Sequence, residues 1–315
     1  MKPIKCLLTN KFIALCWLIL SCNLAFASKH SYKKTHKHHL SKHSKVHSSK
    51  VHPINIADNS NIESIINDNI GPSLYSYAAI AYDVDQDKVI FSKHANTMLP
   101  IASITKLMTA MIVLDSNVSM SQEVIITNED VDNIRNTYSR LKVGHAFTRK
   151  NLLLMALMSS ENRAASALGR ATFDSRKEFI RKMNQKASAL GMIHTKFYDT
   201  TGLDQRNVST PLDLINLVKA AYEYKEIKED STTQGADILL GEYYHHYINS
   251  DSLVRGHSMD IMLSKTGFIN ESGHHVVLYA KIKTHPVIIV LMNSASSRAR
   301  AIDGIAIRNY LLNFY

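Results

Sequence analysis

Strand-like sequence stands near both ends of the folded part of this chain, and a long helical block separates the two. Ser76 to Asp83 and Lys88 to Ser92 are two such runs joined by a turn at Asp85-Gln86-Asp87, which reads as a hairpin. Far downstream, Met259 to Thr266, His275 to Lys281 and Pro286 to Asn293 form three more, separated by Gly267 to Gly273 and by Lys283-Thr284-His285. Runs so distant share one antiparallel sheet only if the chain between them leaves the sheet and returns. An α+β architecture follows: an antiparallel sheet flanked by N- and C-terminal helices, with an all-helical region inserted over about residues 100–255 and a groove between the two parts.

Capping residues mark the helices. Ser103 opens a run in which Ile104, Leu107, Met108, Met111 and Leu114 recur at three and four residues. Thr148 precedes a helix over Arg149 to Met158, Ser175 with Glu178 makes a capping box, and Thr210-Pro211-Leu212-Asp213 joins an N-cap to a first-turn proline. A short helix is expected within residues 57–69, stopped by Gly71-Pro72, and a last one from Ser297 to about Asn313.

The first 52 residues stand apart from that fold. Lys2, Lys5 and Lys11, the apolar stretch from Phe12 to Leu20 and the small-x-small pattern Ala25-Phe26-Ala27 make a cleavable export signal over residues 1–27. Its apolar run falls short of the roughly 20 residues that a membrane span needs. Cys22, preceded by Ile19-Leu20-Ser21, leaves lipoprotein processing open, although Ile19 and Leu20 make a poor lipobox. Residues 28–52 hold seven lysines, seven histidines and no acid, and cannot bury enough apolar surface to offset the entropy of ordering, so a disordered tail is expected there. Such a tail serves as a soluble spacer or as an electrostatic tether to anionic wall polymer or lipid headgroups, stronger as its histidines charge near pH ~6.5. A His-rich tract of this kind also suits metal binding.

Ten of the 37 basic residues lie before residue 53, which leaves 27 against 27 acidic ones in the 53–315 body. That body is neutral despite the formal net charge of +10, so nucleic-acid binding loses its electrostatic basis. All three cysteines, Cys6, Cys16 and Cys22, fall within the signal. Processing after Ala27 would leave no thiol, which excludes a cysteine nucleophile and cysteine-ligated zinc.

The chemistry gathers in three short motifs. Ser103-Ile104-Thr105-Lys106 puts a hydroxyl and an ammonium three residues apart, on one face of a helix start. A serine becomes a good nucleophile when something accepts its proton, and a lysine does that only with a pKa well below about 10.4. Burial and a second nearby cation are the means. The pattern alone is weak, since Ser31 to Lys34 and Ser139 to Lys142 share it, the first without a scaffold and the second without a long helix running on. Ser160-Glu161-Asn162 lies between a helix ending at Met158 and the next, and Lys265-Thr266-Gly267 ends a strand.

In that order, Ser103-x-x-Lys106, Ser160-x-Asn162 and Lys265-Thr266-Gly267 resemble the three active-site motifs of penicillin-binding proteins and serine β-lactamases. The segments Leu99 to Thr109, Met158 to Ala165, and Phe197 to Leu203 through Ser209-Thr210-Pro211 are similar to the small penicillin-binding proteins with D-alanyl-D-alanine peptidase activity; the resemblance covers about residues 70–311. Ser160-Glu161-Asn162-Arg163, and the 48 residues that follow Gly267, look like the endopeptidase branch of that family. The resemblance implies a β-lactamase/D,D-peptidase-like fold and a periplasmic, penicillin-sensitive serine D-alanyl-D-alanine endopeptidase. It would cut peptidoglycan cross-links, react covalently with β-lactams and need no metal or cofactor.

The same resemblance assigns roles. Ser103 is the acylated nucleophile, Lys106 its base, and Ser160 the relay of a proton to the departing amine. Asn162 would hold the substrate amide or the Lys106 side chain, and Lys265 would supply the second cation, lowering the Lys106 pKa and orienting Ser160. Thr266 and Lys265 would receive a carboxylate on the leaving side, and Gly267 would clear room for the substrate beside the strand. The backbone N–H groups of Ser103 and Phe268 would form an oxyanion hole, where one donor is worth about 3 kcal/mol. Arg163 is expected to be a structural partner for an acid.

Other functions compete. A carboxypeptidase that trims stem peptides shares every motif. A class A β-lactamase adds a glutamate on a loop between the second and third motifs, but no Glu-x-x-Leu-Asn occurs between Asn162 and Lys265, and Glu178 falls in an expected helix. A zinc peptidase needs a spacing such as His-Glu-x-x-His, which His145, His194, His245, His246 and His257 do not supply. A non-catalytic wall-binding protein would be expected to lose a motif, and none is lost.

Overall fold

The computed structural model describes residues 71–315. The expected signal over residues 1–27, the tail over 28–52 and the short helix within 57–69 lie outside the described residues. Ala78–Asp83 (β1) and Lys88–Lys93 (β2) form the anticipated hairpin, and the Asp83 carboxylate steadies its turn by accepting from the Gln86 N–H at 2.8 Å. The chain then leaves the sheet through Leu99–Pro100 (β3), a 3-10 turn at Ala102–Ile104 and the helix Thr105–Asp115 (α1). Glu123–Ile125 (β4) and Ala146–Thr148 (β5) pair at the base of a long loop. Helices Arg149–Met158 (α2), Asn162–Ala171 (α3) and Arg176–Ala189 (α4) follow. After Val208–Ser209 (β6), which pairs with β3, come Pro211–Tyr222 (α5) and Lys225–Thr232 (α6). A second hairpin, Gly235–Leu240 (β7) and Tyr243–Ile248 (β8), and the short Ser252–Arg255 (α7) lead back to the sheet. Asp260–Ile269 (β9), Gly273–Ile282 (β10), His285–Ser294 (β11) and Ser297–Phe314 (α8) complete the chain.

The main sheet has the order β2-β1-β11-β10-β9, antiparallel throughout. Strands from the two ends of the fold therefore meet in its middle, where Ala79 lies opposite Leu291 and Ala81 opposite Ile289. Both faces of β11 are covered, so it reads as a continuous apolar run rather than an alternating one. Val287, Ile289 and Leu291 join a core with Ile307 and Leu311 of α8, while Ile288, Val290 and Met292 join the larger core that holds α1 and α5. Every residue of α1 from Thr105 to Val113 is buried, so this helix is a core rod with no solvent face. β9 is an edge strand, and it runs beside the start of α1.

Local signals account for most of the helix starts. Thr148 accepts from the Asn151 N–H at 3.2 Å, and Thr210 from the Asp213 N–H at 3.1 Å. The capping box at Ser175 is only half formed: the serine accepts from the Glu178 N–H, but the Glu178 carboxylate turns to Arg181. The inserted region, expected to be all-helical, also carries the β3–β6, β4–β5 and β7–β8 ribbons. Two of these are too short to leave a periodic trace, and β7–β8 alternates only once its pairing is known.

Candidate active site

Ser103 does not cap α1. It sits in the 3-10 turn before that helix, which has no side-chain cap, so the hydroxyl is not used up on a helix N–H. Ala102 just before it has φ +48°, a left-handed conformation that a residue with a Cβ holds only when its surroundings impose it. Those surroundings are backbone. At Gly202 (φ +85°) a Cβ would lie 1.9 Å from the Ala102 carbonyl oxygen, and at Gly267 it would lie 2.9 Å from that of Ile101 and 3.2 Å from the Ser103 nitrogen. The turn carrying Ser103 is thus clamped between the 198–203 loop and β9, and glycine stands on both jaws because only glycine fits. Gly267 is expected to clear room for a substrate; the missing side chain also clears room for the Ile101–Ser103 backbone.

Lys106 lies one turn along α1 with 1 % of its surface exposed. Its Nζ donates to Ser103 Oγ at 2.7 Å, to Asn162 Oδ1 at 2.8 Å and to the Thr201 carbonyl at 2.7 Å. Burial lowers its pKa from 10.5 to about 7, against the opposing pull of the Asp199 and Glu161 carboxylates. At neutral pH a large share of this amine therefore carries no charge. Asn162 is itself fixed from the other side, donating through Nδ2 to Thr137 Oγ1 at 3.1 Å.

Ser160 and Lys265 form a second hydroxyl–amine pair. Ser160 occupies the tight link between α2 and α3 at φ +63°, and the cap of α3 is its neighbour Glu161, which accepts from the Arg163 N–H. The strained backbone leaves the Ser160 hydroxyl free to accept from Lys265 Nζ at 3.0 Å, and Nζ also donates to the Thr266 carbonyl. Lys265 is 1 % exposed, and its pKa falls well below 10.5 because of burial first and then the neighbouring charges of Lys106 and Arg300. Burial is the first cause at both lysines, and the repulsion between the two neighbouring amines acts in the same direction.

Lys265-Thr266-Gly267 does not end its strand. β9 runs on to Ile269, because Gly267 pairs with His275 and Phe268 with His274 of β10. Phe268 is half-exposed and its ring stacks on His274 with centroids 4.2 Å apart. Arg163 is structural as expected, but it donates to the Leu141 carbonyl at 2.6 Å rather than to an acid.

Several neighbours were not foreseen. Ser250 Oγ lies 2.7 Å from Thr266 Oγ1, and its N–H donates to the Met158 carbonyl, tying the end of β8 to both the second and third motifs. Asn207 donates to Thr105 Oγ1 and to Asp199, and its carbonyl accepts from the Ile101 N–H. The buried Arg300 of α8 donates to the His275 carbonyl behind β9. None of these lies in a recognisable motif, and the only signal for Asn207 was its position inside a segment already noted for resemblance.

A serine hydrogen-bonded to a buried lysine whose pKa lies near 7, beside the edge strand of the sheet and a second serine–lysine pair, on an α+β scaffold, defines a serine-type hydrolase that works by acyl transfer. The profile of the D-alanyl-D-alanine carboxypeptidase family, peptidase S11, matches residues 67–296. The chain belongs to that family and is a serine D,D-peptidase. It is 38% identical over 242 residues to a D-alanyl-D-alanine endopeptidase of Escherichia coli, covering 76% of this chain and 78% of that one. Among solved structures, the Streptomyces strain K15 DD-transpeptidase superposes with a TM-score of 0.70 at 27% identity, over 76% of this chain and 98% of the other. Penicillin-binding protein D2 of Listeria monocytogenes, solved in its ampicillin-bound form, has a TM-score of 0.66 at 25% identity, over 76% and 97%.

Proposed function

We propose that this chain is a D-alanyl-D-alanine endopeptidase that opens peptidoglycan cross-links through an acyl-enzyme at Ser103, and that β-lactams inhibit it by occupying the same serine. The observation that carries this reading is the triply held Lys106 amine with its pKa near 7. A neutral amine has two N–H groups and one lone pair. The Asn162 and Thr201 oxygens have no proton to give back and take the two N–H groups, so the lone pair is left facing the Ser103 hydroxyl. Lys106 then removes the Ser103 proton as Oγ attacks the carbonyl of the acyl D-alanine.

The oxyanion would be received by the N–H groups of Ser103 and Phe268, which the contact of Gly267 with the Ser103 turn brings to neighbouring segments. Ser160, bonded to Lys265, would hand its proton to the departing amine and take up in its place the proton that Lys106 removed from Ser103, which returns Lys106 to its neutral form. The amine leaves, water attacks the ester and the neutral Lys106 acts again as base. Thr266, braced by Ser250, would receive a carboxylate on the leaving side. β9 is the edge strand of the sheet, and an extended peptide would align along it.

The endopeptidase assignment is supported by the relative of that name. Intact cell wall incubated with the purified protein should lose its cross-linked dimers. Release of terminal D-alanine alone would identify a carboxypeptidase instead. Mass spectrometry after penicillin treatment should find one adduct, on Ser103, and none in Ser103→Ala; an adduct on another residue would overturn the mechanism. Export to the periplasm through residues 1–27 is part of the proposal, as is weak electrostatic association with the wall or membrane through residues 28–52. No helix among the described residues is long and apolar enough to cross a membrane.

A further inference from the structure

The proposed reaction gives the groove a direction. Lys265 and Thr266 stand on the leaving side and the Phe268 N–H at the reacting carbonyl, so a peptide extended along β9 carries its acyl side past Phe268 towards Ile269 and the β9–β10 turn. That end of the groove is bridged. Glu271, in the turn between Ile269 and Gly273, reaches across to the 131–142 loop, where its Oε2 lies 2.8 Å from Arg135 Nη1. Glu271 follows Phe268 by three positions, about 10 Å of extended chain, which the acyl D-alanine and one or two residues ahead of it would fill.

Arg135 is the fixed half of the pair. The Asp132 carboxylate accepts from the N–H groups of Ile134, Arg135 and Thr137 at 2.8, 3.0 and 2.8 Å, and Thr137 Oγ1 accepts from Asn162 Nδ2 at 3.1 Å. Arg135 Nε donates to the Leu203 carbonyl at 2.8 Å, in the loop whose Gly202 grips the Ser103 turn. None of these bonds involves Glu271. The carboxylate is the movable half, because its turn is held by its neighbour: the Ser272 N–H donates to the Ile269 carbonyl, and Ser272 Oγ lies 2.8 Å from His275 Nε2. The Glu271 side chain is 41 % exposed. A pair so open to water is weak and screened by salt, so it contributes little to stability, and one rotamer change of the glutamate parts it.

We propose that Arg135 and Glu271 form a specificity-determining strap over the acyl-side end of the groove. Closed, it leaves room for a β-lactam or for a peptide with a short acyl side; it has to part for a wall peptide with several residues ahead of the acyl D-alanine. The proposal rests on the D,D-peptidase reading of Ser103. The strap hinders long acyl chains alone and leaves the reaction centre as it is.

Two penicillins test it, made by coupling 6-aminopenicillanic acid to acetylglycine or to acetyl-tetraglycine. They present a short and a long uncharged acyl side to the same serine, with the same leaving side. Stopped-flow competition with a fluorescent penicillin on the purified full chain gives each acylation rate. The long-to-short ratio of rates should rise about threefold between about 0.05 M and about 0.5 M salt, as screening loosens the pair. Glu271→Gln should raise that ratio about threefold at the lower salt and abolish its salt dependence, with the short-chain rate unchanged, and Glu271→Lys, which repels Arg135, should do the same. A ratio that does not rise in Glu271→Gln overturns the strap, as does equal slowing of both penicillins, which would make the pair a brace for the site. Acylation by neither penicillin overturns the D,D-peptidase reading instead, so the two failures are told apart.

Discussion

The clamp around Ser103 and the rim around the cleft are built to opposite tolerances. In the clamp, Gly202 and Gly267 bring backbone against the Ile101–Ser103 turn so closely that a single methyl group has nowhere to go. On the rim, the 131–142 loop and the β7–β8 hairpin meet mostly solvent: Tyr138 is 81 % exposed and Tyr244 71 %. The contrast separates chemistry from specificity. An acyl-transfer step needs its serine, base and oxyanion donors placed to a fraction of an ångström. Substrate choice depends on surfaces that can change without disturbing that placement.

That division predicts a gradient of effects. Lys106→Met should cost the most after loss of Ser103 itself, slowing penicillin acylation by about 10³-fold, because it removes the general base. Stopped-flow labelling would measure this, and a loss under tenfold would move the base role elsewhere. Gly267→Ala should slow acylation by about 10²-fold while the chain still folds, since its methyl group pushes β9 and the Ser103 turn apart. Wild-type rates in that variant would show that the clamp has slack and the comparison is wrong.

The pH profile comes next. The unprotonated amine is the reactive form, and burial has lowered the Lys106 pKa to about 7. The acylation rate should therefore climb as pH rises through about 7 and be about tenfold below its plateau one unit lower. A profile flat between pH 6 and 8 would put the titrating base outside that range. The smallest effect should come from the rim. Asp237→Asn, which breaks the exposed pair with His246 on the β7–β8 hairpin, should change stability by less than about 0.5 kcal/mol and leave acylation untouched. A large change there would mean that the hairpin reaches the reaction centre.

Much of the fold was legible because its signals are local. Thr148 and Thr210 cap the helices they were expected to cap, and α2 spans Arg149–Met158 as read from its flanking residues. The strands missed were two-residue or three-residue ribbons such as β3 on β6, the β7–β8 hairpin, whose apolar pattern does not alternate until it is paired, and the extension of β9 past Gly267 to match β10. In the site, Ser103 and Lys106 meet as their spacing of three suggested, and Ser160, Asn162 and Lys265 stand beside them, a gathering that the resemblance implied and spacing did not. Ser250, Asn207 and Arg300 did not announce themselves, because each acts through a neighbour far away in the chain.

By itself the sequence determined which chemical groups were on hand and which helices and strands would carry them, since capping, periodicity and turn residues act over a few positions. Only the tertiary structure decided that Lys106 would be dry enough to lose its proton near neutrality, that two glycines would grip the Ser103 turn, and that Arg135 and Glu271 would meet across the groove. Burial and close approach belong to no single stretch of chain; they appear when segments a hundred residues apart exclude water from the same place.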